Sequence, residues 1–277
     1  MYLIINIVAI FLSVMGSSTL RYEEKFTTQL AFKPGNHLEV STSNGNIEVT
    51  TWDKDSLAVE ATKFVETPTE TDATELIREI KIDIKQLNTG ICISTQLPRT
   101  NYNIGVNYKL TLPKQANLNL RSYNGNIVIH NVDGITTAKT FNGEIEVYDL
   151  KNKVDIDTHN GSITAHNIEG DAKLTTHNGK LNLTGTFTNL HAETDNGSIS
   201  CDITRWQASA DITLETHNGN ITAHLPHVTG IAIYAESHNG KVTSDFPIYT
   251  KPEQLPHTNV ILKLITHNGS VNIIKTQ

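Results

Sequence analysis

Lys173–Gly185 reads KLTTHNGKLNLTG. At its centre stands Asn-Gly, the strongest short-range signal for a two-residue β-hairpin when alternating apolar and polar residues flank it. The dipeptide recurs as Asn44-Gly45, Asn124-Gly125, Asn142-Gly143, Asn160-Gly161, Asn178-Gly179, Asn196-Gly197, Asn218-Gly219, Asn239-Gly240 and Asn268-Gly269. From Gly125 to Gly197 the spacing is 18 residues four times in succession, after which it loosens to 22, 21 and 29. A fixed period of this length marks a repeat architecture, not a set of unrelated turns.

Aligning the copies on their glycine exposes the side-chain columns. Two residues after it stand Ile47, Ile127, Ile145, Ile163, Leu181, Ile199, Ile221, Val242 and Val271, and the positions seven before, five before and four after are mostly apolar. Lys, Asp, Glu, Asn, Thr and His fill the places between. This period-two alternation on both sides of the turn describes half-buried strands. Each unit reads strand, Asn-Gly turn, strand, second turn, the last often marked by NVDG, NIEG or LTG. Antiparallel hairpins in a meander compete with the coils of a parallel β-solenoid. Equal spacing and identical turn chemistry favour the solenoid, because equivalent residues then stack about 4.8 Å apart and reinforce one another.

Three residues before the glycine the side chain is always Thr or Ser: Thr42, Ser122, Thr140, Thr158, Thr176, Thr194, Thr216, Ser237 and Thr266. By parity it points inward, where a hydroxyl satisfies backbone groups at the bend while the Asn side chains hydrogen-bond along the axis. The glycine is expected to supply a positive φ.

The fold expected is all-β: a parallel β-solenoid with coils of about 18 residues, plus a small α/β insertion near the N-terminus. The segment 22–277 is expected to be one solenoid domain, with 51–107 as a helix-containing insertion or cap and 108–277 as the tandem Asn-Gly repeats. Within the insertion, PTETDATELIREI (Pro68–Ile80) carries a capping-box-like Asp72 and Glu75 ahead of Leu76, Ile77 and Ile80, and predicts a short helix. Strands are expected at 81–86, 90–96 and 105–112, shielding the open end of the stack, since unpaired strand edges invite aggregation.

Hydrophobic residues are 38% of the 277 and charged ones 18%, enough apolar content for a sizeable core. A net charge of -7 with no basic cluster excludes nucleic acid as a partner. Residues 1–18 open with the apolar MYLIINIVAIFLSVM and continue with the small Gly16, Ser17 and Ser18, the form of a signal peptide or, uncleaved, an N-terminal anchor. The run is shorter than a membrane-spanning helix needs, and it lacks the usual preceding Lys or Arg. No transmembrane segment is expected after it. Cys92 and Cys201 are the only cysteines, too few to staple a chain of this size.

The stretches FKPGNHLEVSTSNGNIEVTTWDKDSLAVEATK (Phe32–Lys63) and YKLTLPKQANLNLRSYNGNIVIHNV (Tyr108–Val132), followed by tandem THNG units, resemble the bacterial putative adhesin family of β-strand repeat proteins. The resemblance covers everything after the signal. It implies a right-handed parallel β-helix-like fold in an exported or envelope protein, and it brings no catalytic residues to carry over.

Chemistry is most strongly suggested by the column before the Asn: Ser43, Tyr123, Phe141, His159, His177, Asp195, His217, His238 and His267. In register, His159, His177 and Asp195 form an outward row that His217, His238 and His267 continue. Such a row is a candidate for Zn²⁺ or Ni²⁺ and for titration near neutral pH. Duplication alone, however, copies a solvated turn face, and no supporting residues around the row are evident. A second row, five after the glycine, holds His130, Tyr148, His166, Asp202, His224 and Asp245 and reads as a polar strand face. The acids four before the glycine, Asp157, Glu193, Glu215 and Glu236, are the best enzyme candidates, as in polysaccharide-cleaving β-helices. No Lys or Arg is expected beside them and no long loop builds a cleft. Trp52 and Trp206 read as packing aromatics rather than sugar platforms, and Cys201 as a core residue.

The functional expectation is a non-catalytic exported protein, in the periplasm, cell envelope or extracellular space, that presents a rigid repetitive surface. Its partners would be a glycan, the cell wall, a cell-surface protein or other copies of itself. A cell-envelope scaffold or self-assembling element is the alternative, and a polysaccharide-active enzyme a weaker one. No cofactor, metal or catalytic residue is expected.

Overall fold

The computed structural model describes residues 11–15, 19–227, 230–256 and 258–276. It comprises two compact units, residues 1–134 and 135–277, both built almost wholly of strands. Of the expected leader 1–18, residues 1–10 and 16–18 lie outside the described residues.

In the first unit the strands are β1 (Phe11–Met15), β2 (Thr19–Ala31), β3 (His37–Asn44), β4 (Ile47–Trp52), β5 (Ser56–Thr67), β6 (Lys81–Leu87), β7 (Gly90–Gln96), β8 (Asn103–Pro113), β9 (Asn117–Asn124) and β10 (Ile127–His130). Helix α1 (Glu70–Glu79) joins β5 to β6. β3 pairs in parallel with β9 on one side and β7 on the other, and β4 likewise with β10 and β8. Residues 90–113 thus form a further turn stacked on β3 and β4. Antiparallel pairs surround these: β2 with β1 and β5, β5 with β8, and β6 with β7. The sheet is therefore mixed, not wholly parallel as expected. The outermost parallel turn would otherwise leave bare N–H and C=O edges, and β5 and β6 cover them by running back along β8 and β7.

Helix α1 buries Ala73 and Ile77. It is capped by Thr69, whose Oγ1 accepts from the N–H of Asp72 at 3.2 Å, one turn earlier than the Asp72–Glu75 pair suggested. Asp72 instead contributes negative charge to the first turn, where the helix dipole favours it.

The second unit contains β11 (Thr136–Asn142), β12 (Ile145–Tyr148), β13 (Lys151–Asn160), β14 (Ile163–Asn178), β15 (Leu181–Asn196), β16 (Ile199–Ile203), β17 (Ala210–Asn218), β18 (Ile221–Leu225), β19 (Ala232–Asn239), β20 (Val242–Ser244), β21 (Val260–Asn268) and β22 (Val271–Lys275). Among the described residues its strands pair in parallel. Register joins Asn142 to Asn160, Asn160 to Asn178, Asn178 to Asn196 and Asn196 to Asn218. The inward columns are sealed: Ile145, Ile163, Leu181, Ile199, Ile221 and Val271 are each no more than 1% exposed.

At each bend the glycine joins two turns. Thr158, Thr176, Thr194, Thr216 and Thr266 are buried, and each donates its hydroxyl hydrogen to the carbonyl of the glycine one turn away (Gly143, Gly161, Gly179, Gly197 and Gly219) at 2.8–3.0 Å. The glycine N–H in turn donates to an Asn carbonyl of the next layer, as from Gly161 to Asn178 at 3.2 Å. A Cβ on Gly161 or Gly179 would collide with the carbonyl of the glycine stacked beneath it. Close approach, not positive φ, is what excludes other residues here. Among the aligned glycines only Gly45 and Gly125 have φ in the left-handed range, at 133° and 153°. Left-handed residues 18 apart stand instead elsewhere in the turn: Asn131, Asp149 and Asn167, with φ of 60°, 58° and 56° at the second bend, and Asn152 and Gly170, with φ of 77° and 123°. Short polar side chains tolerate that conformation, and Asn167 Nδ2 donates to Asp149 Oδ1 at 2.5 Å.

The order of the last turns departs from the chain order. β17 pairs with β21, and β21 pairs with β19 on its other side; β18, β22 and β20 follow the same sequence. Apolar content accounts for this. β21 and β22 bring Leu262, Leu264, Val271 and Ile273 inward, whereas β19 and β20 bring Ile233, Ala235, Val242 and Ser244. Placing the richer pair inside covers both its faces and leaves the poorer pair at the end, which buries more apolar area. The same order sets Ile265 between Glu215 and Glu236, which would otherwise stand about 4.8 Å apart as like-charged neighbours.

Two substitutions test this account by urea denaturation. Gly179→Ala is expected to cost about 1–3 kcal/mol through overpacking against backbone that cannot yield. Ile265→Glu is expected to cost up to about 1 kcal/mol by completing a run of four carboxylates from Glu193 to Glu236, with the loss shrinking at high salt.

Candidate binding face

Beyond the bend, three outward rows share one face of the sheet formed by β11, β13, β14, β15, β17, β21 and β19. The first is the row of imidazoles. Phe141 stacks on His159 with centroids 4.6 Å apart, and His159 on His177 at 4.7 Å with planes 3° from parallel. Asp195 comes next and is hydrogen-bonded to His177 Nδ1. Beyond it His217 stacks on His267 at 4.8 Å and His267 on His238 at 4.7 Å. The spatial order His217–His267–His238 corrects the sequential order expected, for the reason that sets the strand order.

Parallel stacking determines what these rings can do. Ring nitrogens lie in the ring plane, so lone pairs of stacked imidazoles run side by side and do not converge on a point about 2 Å from each, as a shared metal requires. Among the described residues no group of three or more His, Cys, Asp or Glu is gathered to hold a metal ion. The row instead presents ring edges, each with donor and acceptor capacity, at a fixed repeat.

Beside it the Asn side chains are hydrogen-bonded into a second row. Asn160 Nδ2 donates to Asn142 Oδ1, Asn178 to Asn160, Asn196 to Asn178, Asn218 to Asn196, Asn268 to Asn218 and Asn239 to Asn268, all at 2.7–2.9 Å. In the first unit Asn44 Nδ2 donates to Asn103 Oδ1 at 2.8 Å and to the Ile104 carbonyl at 2.7 Å. Asn103 belongs to no Asn-Gly pair, so alignment on the dipeptide passes over it.

The third row runs Lys139, Asp157, Thr175, Glu193, Glu215, Ile265, Glu236. Contrary to expectation a basic residue does stand among the acids: Lys139 Nζ lies 3.3 Å from Asp157 Oδ2. It occupies the same column one turn away. Glu193 meets His191 Nε2 at 3.2 Å, and Tyr234 donates its hydroxyl hydrogen to Glu236. Burial, with that carboxylate beside it, pushes the Tyr234 phenol up to about 12. Glu193, Asp195, Glu215 and Glu236 line a shallow depression of about 310 Å³ with His217, His238 and His267. These side chains project alongside one another from one sheet face, which suits contact with a surface or chain better than attack from opposite sides of a bond.

A second depression, of about 370 Å³, has Lys153, Asp171, Lys173, Asn189, His191 and Asp211 at its walls. It lies where β15 carries one residue more than β14 between Gly170/Phe187 and Ala172/Leu190, and bulges of this kind re-aim side chains. The extra residue is visible only once the strands are paired. The row of His166, Asp202 and His224 is a polar strand face, with His224 Nδ1 hydrogen-bonded to Asp202 and Tyr148 tilted against His166 at 6.3 Å.

The tryptophans are tied to backbone: Trp52 Nε1 donates to the Ser56 carbonyl at 2.8 Å and Trp206 Nε1 to that of Pro226 at 3.3 Å. Lys54 Nζ lies over the Trp52 ring. Cys92 and Cys201 are both free thiols. Among the described residues no helix is long and apolar enough to cross a membrane.

The model of the family described as Toastrack DUF4097 matches residues 35–275. Among solved structures, a putative adhesin from Bacteroides fragilis NCTC 9343 is 14% identical, covering 91% of this chain and 97% of that one, with a TM-score of 0.49. A putative lipid binding protein from Parabacteroides distasonis ATCC 8503 is 12% identical over 91% and 97%, with a TM-score of 0.45. A putative adhesin from the same strain is 14% identical over 91% and 97%, with a TM-score of 0.41. No curated protein matches the chain.

The buried thiol offers a test of core integrity. Burial, and secondarily Asp202, push Cys201 from its ordinary 9.0 up to about 12, and burial pushes the Tyr108 phenol from 10.0 up to about 12. Both groups are neutral in the fold and ionise more readily once unfolded. Their stabilising contribution is therefore complete below pH 9 and is lost as pH rises toward 12. Stability to urea is expected to fall across that window, less steeply in Cys201→Ala. A thiol reagent should label Cys92 in the native protein and Cys201 only after denaturation.

Proposed function

The chain belongs to the Toastrack DUF4097 family, and from that membership we propose a non-catalytic, exported protein whose turns wind as a right-handed parallel β-solenoid and whose outward rows bind an extended polymer of the cell envelope or cell surface. The observation that carries this reading is the pair of parallel rows in residues 135–277, amides at every turn and, beside them, imidazole edges interrupted at Phe141 and Asp195. An amide and an imidazole each offer donor and acceptor groups, which match the hydroxyls of a glycan. Single contacts of this type are weak. Repetition along a backbone-fixed row makes each further contact intramolecular, and rigidity limits the ordering entropy lost on binding.

A distributed surface has a characteristic mutational signature. His177→Ala or Asn178→Ala alone is expected to weaken cosedimentation with insoluble cell-wall polysaccharide by less than about 3-fold, whereas replacing the residue before the Asn in four turns together should weaken it by about 100-fold. Loss of binding from one single substitution would indicate a discrete site, and absence of binding to glycans and cell-wall material alike would remove the proposal.

A further inference from the structure

Among the described residues, the end of the second unit is covered on one side only. The segment after β20 folds back so that Tyr249 forms a parallel bridge with Tyr234; Tyr249 N–H donates to the Ile233 carbonyl at 2.8 Å and Ala235 N–H to that of Tyr249 at 3.3 Å. The outer edge of β19 is thereby closed at Ile233–Ala235. β20, the other half of the same turn, pairs among the described residues with β22 alone.

The hydrogen bonds identify which groups face outward. Val271 N–H donates to the Lys241 carbonyl and Asp245 N–H to that of Ile273, with Thr243 in register with Asn272. Lys241, Thr243 and Asp245 therefore direct their backbone groups toward β22. By the alternation of a strand, Val242 and Ser244 direct N–H and C=O away from it.

We propose that this edge pairs with the same edge of a second copy of the chain, antiparallel and centred on Thr243. That register makes Val242 and Ser244 of opposite copies hydrogen-bonded pairs, which uses the four outward N–H groups and the four outward carbonyls. Thr243 meets Thr243 as a non-hydrogen-bonded pair. The charges then complement each other twice, since Lys241 of each copy stands opposite Asp245 of the other, on the same exposed face as Thr243. A twofold interface must be self-complementary, and this five-residue edge satisfies that condition in charge as well as in hydrogen bonding. Adding a strand there also covers Val242, which the end of the stack leaves only half-buried. A bare edge beside a covered one is the feature that strand addition uses.

The test is sedimentation equilibrium of the full chain and its charge variants. The wild type is expected to show a monomer–dimer equilibrium. Lys241→Asp and Asp245→Lys each place like charges opposite one another and should weaken self-association by about tenfold or more. An equimolar mixture of these two variants should dimerise as well as the wild type, because every 241–245 pair is again opposite in sign, and the double variant should also recover. Val242→Pro removes an outward N–H without touching the bonds to β22, so it should abolish the dimer while thermal unfolding of the monomer stays close to wild type. A wild type that is monomeric at all concentrations overturns the proposal. So does association that the single variants leave intact, or a mixture that fails to recover.

Discussion

The contact on which the structure depends is between a glycine carbonyl in one turn and a threonine hydroxyl in the next. It forms only if the two backbones approach closely at the bend, and that approach leaves no room for a Cβ. Glycine is therefore constant because of its neighbour above and below, and a hydroxyl residue, Thr or Ser, is constant because the partly buried carbonyl of that glycine must be bonded. Everything else in the repeat follows from the spacing so imposed. Isoleucines stack on isoleucines inside, and outside the amides fall within hydrogen-bonding distance and the imidazoles lie face to face.

This spacing also governs what the outer face can become. Residues placed at equal intervals on parallel strands project in parallel, so stacked copies of one side chain do not aim their polar atoms at a common point. The imidazole row illustrates the limit. Its rings are numerous and close, yet their stacking turns the nitrogens alongside one another. The interruption at Asp195 adds a hydrogen-bond acceptor for His177 without changing that direction. A surface of this form is suited to recognising something equally periodic.

Much of the architecture was legible because a period repeats its evidence. The column of Ile163, Leu181 and Ile199 states the core face several times, and Thr158, Thr176 and Thr194 state the inward hydroxyl as often. What escaped was information carried by single copies or by relations between copies. The general rule for turns predicts a left-handed backbone at the glycine, whereas Asn131, Asp149 and Asn167 hold that conformation at the other bend. Lys139 is a single base in a column dominated by acids. The strand order at the end was hidden because alignment on a motif assumes that the next copy in sequence is the next in space. The signal was present in Leu262 and Leu264 against Ile233 and Ala235, but it is a comparison of burial energies that only a three-dimensional alternative brings into view.

That inverted order has a consequence for how the protein is made. A chain synthesised from its N-terminus can lay down its turns one upon another as they emerge, each new strand pair finding the previous one already formed. This vectorial growth stops at β18. The strands made next, β19 and β20, have no surface of their own to settle on until β21 and β22 have left the ribosome and docked. Assembly of the final layers thus departs from chain order, and until β21 and β22 dock the edge of β17 and β18 stands open to whatever strand arrives first.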